Sequence, residues 1–225
     1  MVDFFLPRRA EWMRRAIFTG LPVHPSTVDR GITREALADI VDAAGGLEHS
    51  RAQLARVIAV AQAEFDQLCM GQPSLRDVHG WGGRNTPAVY SEFANAVAWT
   101  RAVDDRYGSD RLRPAVYPHD RDLWKELQKI RSSTAGVQFE DARLLAKVTL
   151  HKFTPPYSSA GAKVEGDKLI YPIPRIDDPD DFRANPLVPG RHVMSVVDDL
   201  WAAVERFVDQ LLAVFYPRPS SDQSV

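Results

Sequence analysis

The sequence predicts a mainly α-helical bundle of five to six helices with one small inserted β-hairpin, and three observations predict it. Apolar residues recur at every third or fourth position in several separate stretches, glycines and prolines punctuate those stretches, and only one short region carries the turn chemistry of paired strands.

Residues 1–31 read as an N-terminal arm, with a short helix over residues 8–18 that sets Trp12, Ile17 and Phe18 beside Arg8, Arg9, Arg14 and Arg15. Such a basic, aromatic segment suits a membrane surface or a nucleic acid, and packing on its own domain is the simpler expectation. Leu37, Ile40, Val41 and Ala44 then form one helical face that Thr33 can cap, and Gly45 with Gly46 is expected to end it. Ser50 and Gln53 make a capping box for a second helix carrying Leu54, Val57, Ile58, Ala61, Phe65 and Leu68 up to Gly71.

Residues 72–85 contain Pro73, Gly80, Gly82 and Gly83 and read as a loop, with Trp81 folded onto the body. Thr86 and Pro87 open a helix lined by Tyr90, Phe93, Ala94 and Val97 that runs to Gly108, followed by a polar turn over residues 109–113. Pro118 opens the next, with Leu123, Trp124, Leu127 and Ile130 inward; it is interrupted around Ser132 and Gly136. Phe139, Ala142, Leu145, Ala146, Leu150 and Phe153 resume the period until Pro155 and Pro156 stop it.

Strand-like runs flank Gly166 and Asp167, which places a hairpin near residues 162–173. Residues 175–190, with four aspartates between Asp177 and Asp181, read as a solvated loop. A long apolar helix from Val193 to Phe215 ends at Pro217. Residues 32–217 therefore read as a single helical-bundle domain and 218–225 as a tail, since a chain of this length can build one core without staples.

A net charge of −2 provides no global field for nucleic acid or acidic membranes. The lone Cys69 excludes an intrachain disulfide and a cysteine metal cluster, and inside a helical stripe it reads as a buried, inert thiol. No apolar run approaches the roughly 20 residues of a membrane span, and the N-terminus lacks the basic-then-apolar order of a secretory signal, so a cytoplasmic protein is expected. Phosphate-loop, dinucleotide, zincin, nucleophile-elbow and kinase motifs are missing, as are the Glu-x-x-His pairs of bundle di-iron sites, so neither a cofactor nor a metal is expected.

Several constellations have both a chemical and a structural reading. His119, Asp120 and Asp122 could gather a metal, but carboxylates in a first helical turn are favoured by the macrodipole, and a helix start explains them. Asp104 with Asp105, and Asp198 with Asp199, point about 100° apart on a helix and read as solvated faces. His151 and His192 read as satisfied core or cap histidines, and residues 154–159 as a rigid helix stop.

At Leu127 to Gly136, on the end of an amphipathic helix, the chain resembles HEPN domains, helical bundles found in bacterial toxins and phage-defence systems. In that family an Arg, a polar residue and a His four to six positions on cut RNA at a dimer interface. Arg131 and Ser132 match the opening, and Gly136 stands where the His would be. A second Arg-to-His spacing joins Arg113 to His119 through Pro114 and Pro118. There the chemistry implied by the resemblance is an imidazole taking the ribose 2′-hydroxyl proton while a guanidinium stabilises the phosphate.

The function expected is therefore that of a non-catalytic, HEPN-like helical bundle that works by contact with a partner protein or with itself as a homo-oligomer, and not by catalysis. The broad apolar stripe of the last helix could serve a core or a dimer seam. Two rivals remain: a metal-independent RNase using Arg113 and His119, or Arg131, with RNA as partner, and a small-molecule-binding module built around Trp81, Trp124 and Tyr157.

Overall fold

The computed structural model of the chain describes residues 7–15, 30–78, 80–151, 161–173 and 191–216. They are mainly helical: α1 (Pro7–Met13), α2 (Arg30–Gly71), α3 (Thr86–Asp105), α4 (Leu112–Val116), α5 (Arg121–Thr134), α6 (Gly136–His151) and α7 (Val193–Phe215). A small antiparallel sheet of β1 (Gly80–Trp81), β2 (Ala162–Glu165) and β3 (Lys168–Ile170) completes them.

The largest departure from the sequence reading is α2, a single helix of 42 residues, roughly 63 Å long at 1.5 Å per residue. Gly45 and Gly46, expected to end a helix, lie in its middle, and Ser50 is buried there instead of capping a new one. Their missing side chains explain why. A Cβ on Gly46 would lie 2.4 Å from the Trp99 ring of α3, and one on Gly45 would lie 2.2 Å from Cδ of Arg9 in α1. The pair is thus a double notch into which two neighbouring elements dock, and tertiary contact offsets a helix-propensity cost of about 1 kcal/mol per glycine.

Docking of α1 is correspondingly specific. Trp12 is fully buried, its indole N–H donates to Asp209 Oδ1 at 2.8 Å, and its ring meets Trp201 at 5.7 Å. Arg8 reaches Glu205 at 2.7 Å and Asp209 at 3.2 Å on α7, while Arg9 pairs with Asp42 on α2. Ile17 and Phe18 lie outside the described residues.

The expected hairpin is present, with Lys163 opposite Ile170 and Glu165 opposite Lys168. Gly166 takes a φ of +63° in its turn, a left-handed conformation that disfavours side chains. A third strand lies where a loop was expected, β1, pairing Trp81 with Ala162. Two residues among glycines show no alternation, and the partner strand comes from the far side of α3 to α6, so local reasoning could not place it. Gln62 of α2 accepts from Leu169 N–H at 2.8 Å and donates to Asp167 O at 2.7 Å, which seats the hairpin on the helix.

Between α3 and α5 the chain is more helical than expected. A π-type turn over Arg106–Asp110 buries Tyr107, and it and α4 together take up the expected polar turn except Arg111. α5 begins at Arg121 and not at Pro118, because Asp120 caps it by accepting from the N–H groups of Asp122 (3.1 Å) and Leu123 (2.9 Å). The buried side chains form one apolar cluster to which α7 contributes Val193 through Phe215, with Phe207 edge-on to both Tyr107 and Phe139.

Gly46→Ala is expected to lower stability by about 1–2 kcal/mol, because the overpacking at Trp99 outweighs the gain in helix propensity. Gly45→Ala should cost less, since the Arg9 side chain can swing away. Urea unfolding of both variants measures the contrast, and equal effects would contradict the double-notch account.

Candidate functional site

Arg131, the residue carried by the family resemblance, lies in the last turn of α5 and faces Asp104 at the end of α3. Asp104 is 1% exposed, the one buried charged side chain among the described residues, which corrects its expected place on a solvated face. Its Oδ1 accepts from Arg131 Nε at 2.7 Å, and its Oδ2 from Arg131 Nη2 at 3.0 Å. Arg143 of α6 adds a third contact at 2.8 Å, and Glu140 lies 3.3 Å from Arg131 Nη2. The Asp104 hydrogen bonds hold the Arg131 guanidinium charged more firmly than usual, against the cost of its burial. The guanidinium also lies 5.4 Å over the Phe139 ring.

Tyr107 packs beside this cluster, stacked on Trp124 at 5.0 Å. Its hydroxyl is buried and has no hydrogen-bond partner among the described residues. Burial pushes its pKa well above the usual tyrosine value, with Arg131 opposing and Asp104 adding to the shift.

Arg113 and His119 lie elsewhere and are exposed, Arg113 in α4 and His119 in the turn that joins α4 to α5. Arg113 lies over the Tyr117 ring, 5.4 Å from its centroid, and Arg121 lies over the same ring at 5.5 Å. His119 is exposed, its backbone N–H donating to Val116 O at 3.0 Å. The carboxylates nearby are engaged: Asp120 caps α5, and Asp122 pairs with Lys125 at 2.8 Å. Arg113 and His119 thus fall in successive exposed segments, α4 and the turn after it, while Arg131 is held to Asp104. Sequence reading missed Tyr117 and Arg121, although Arg113, Tyr117 and Arg121 recur at four-residue spacing. Pro114 and Pro118 hid that period, yet Pro114 falls in the first turn of α4, where proline is tolerated.

The tryptophans of the small-molecule reading do not meet. Trp81 packs on Phe65 at 5.4 Å, whereas Trp124 stacks on Tyr107, whose neighbour Arg106 donates to Asp39 O. Asp39 and Phe65 are 26 residues apart on α2, about 39 Å along its axis. Tyr157, residues 154–159 and the aspartates at 177–181 lie outside the described residues, as does the side chain of His151. His192 precedes α7 and accepts from the Tyr171 N–H at 3.1 Å. Asp198 and Asp199 make partly exposed pairs with Arg51 and Arg191. No group of three metal-ligating side chains occurs among the described residues. Comparison with protein-family models, curated proteins and solved structures finds no match to the chain.

Arg131→Gln is expected to destabilise by about 2–4 kcal/mol, because it strips a buried carboxylate of its main partner, and Arg143→Gln, at a more exposed position, by about 1 kcal/mol or less. Denaturant unfolding ranks the two; a smaller loss for Arg131 would refute the structural role.

Tyr107→Phe should be neutral or stabilising at pH 7, because it removes an unpaired buried hydroxyl. A raised phenol pKa contributes stability that is full below the ordinary value of 10.0 and declines as pH climbs past it. Melting temperatures across alkaline pH should therefore fall less steeply in Tyr107→Phe than in wild type, and parallel curves would count against this assignment.

Proposed function

We propose that the chain is a non-catalytic helical-bundle protein that acts by binding a partner protein or a second copy of itself, in a cytoplasmic toxin or phage-defence setting of the kind the HEPN resemblance implies. The commitment of Arg131 to Asp104 supports this most directly. A phosphate in flight would need the same guanidinium donors, and releasing them would leave buried Asp104 with the more exposed Arg143 alone. No described helix is long and apolar enough to cross a membrane, and the one cysteine is buried and free, as suits a reducing compartment.

The metal-independent RNase reading retains one favourable observation: Arg113 in α4 and His119 in the turn after it are both exposed. A general base is normally oriented by a second group, and the His119 ring has no hydrogen-bond partner among the described residues. That weighs toward binding over cleavage. The separation of Trp81 from Trp124 likewise removes support from a small-molecule site.

Purified protein incubated with tRNA-like RNA and a chelator should leave the RNA intact, and light scattering should show a dimer or a stoichiometric co-purifying protein. Cleavage that disappears in His119→Ala, with an unchanged circular dichroism spectrum, would replace this reading with the enzyme.

A further inference from the structure

We infer that the partner is held at the surface formed by Arg113, Tyr117 and Arg121, and that this surface takes an acidic protein segment with neighbouring carboxylates. The inference rests on the protein-binding reading and names the chemistry of its partner.

On the bundle surface Arg14, Arg56, Arg113, Arg121 and Arg206 are exposed with no carboxylate within 4 Å among the described residues, and of these only Arg113 and Arg121 lie over an aromatic ring, the same one. Arg8, Arg51, Arg101, Arg111 and Arg191 each have a carboxylate within 4 Å. Arg113 and Arg121 have none among the described residues, and their contacts are to one tyrosine ring. The acidic residues nearest in sequence do not pair with them: Asp110, three residues before Arg113, accepts from Ser109 Oγ at 2.7 Å, Asp120 holds the start of α5, and Asp122 holds Lys125. Two guanidinium forks are thus left with their in-plane donors open, the arrangement that recognises carboxylates bidentately.

The shared ring also prepares the pair for binding. Stacking on Tyr117 restricts two flexible side chains before a ligand arrives, so less conformational freedom remains to be lost on association. Distances of 5.4 and 5.5 Å to one centroid place the two guanidinium carbons no more than their sum, 10.9 Å, apart. Carboxylates one helical turn apart on a peptide, with Cβ atoms about 5–6 Å from each other, fall within that reach. Arginine and tyrosine are also the residues enriched at the energetic centres of protein interfaces.

RNA fits the same surface less well. Single-stranded sites stack bases on open aromatic faces, and here guanidinium groups lie over the ring.

The test is a fluorescence anisotropy titration of the full chain with three labelled probes: an Ala/Glu peptide with glutamates four residues apart, its Gln counterpart, and a single-stranded RNA of equal charge. The Glu peptide should bind and the Gln peptide should not. Arg113→Gln/Arg121→Gln should weaken the Glu peptide by roughly tenfold or more, and Tyr117→Leu by a smaller factor, as expected for loss of preorganisation alone. Arg84→Gln, which alters an exposed arginine already paired with Glu64, should leave binding unchanged. Raising the salt from about 0.15 to 1 M, which shortens the screening length from about 8 to 3 Å, should abolish it.

Equal binding of the Glu and Gln peptides, or an unaffected double variant, overturns the inference. RNA binding that is tighter than the peptide's and is lost in the double variant also overturns it, and assigns the surface to nucleic acid. If the double variant still dimerises or keeps a co-purifying protein while wild type ignores the Glu peptide, the inference fails and the protein-binding reading survives.

Discussion

The uninterrupted passage of α2 through Gly45 and Gly46 sets the positions of most other elements. A helix of this length presents several turns of surface, and no single neighbour can cover it. The described partners accordingly attach at successive levels: Arg106 and Arg111 at Asp39, α1 and Trp99 at the glycine pair, and the β-hairpin at Gln62. Had the helix broken at the glycines, the hairpin and the α4 turn would have lost their common axis. The notches also let α1 and α3 approach more closely than side chains would allow, so the weakest local helix formers sit where tertiary contact is tightest.

Much of this was legible because apolar periodicity reports burial directly. The stripes at Leu37, Ile40 and Val41, at Tyr90, Phe93 and Val97, and along α7 from Val193 to Phe215 are all buried. Boundaries were less legible, since glycine ends helices in isolation but can also admit a neighbour, and the neighbour belongs to another part of the chain. Strand β1 escaped for a related reason: its identity lies in a hydrogen-bonded partner, and two residues have no period.

The candidate site was legible in part. Asp104 falls on the helical stripe of Phe93, Val97 and Thr100, all buried, so its angular position signalled burial before the adjacent Asp105 suggested a solvated face. The aspartate beside it drew attention to charge when the spacing carried the information. Arg113, Tyr117 and Arg121 show the opposite case, a regular spacing concealed by prolines that are compatible with the start of a short helix.

A buried carboxylate is seldom retained for net stability, because desolvation consumes most of what its ion pairs return and an apolar substitute of similar shape does as well. The geometry around Asp104 accounts for its presence differently. Its two oxygens are satisfied only when α3, α5 and α6 meet in one register, with Arg131 arriving just before the break at Thr134 and Ala135 and Arg143 two turns after it. Apolar side chains would tolerate a slipped arrangement that two directed hydrogen bonds and an ion pair do not. An arginine at the end of an amphipathic helix can therefore be kept by the demands of helix assembly alone, which separates the motif-like appearance of Arg131 from any requirement for RNA chemistry.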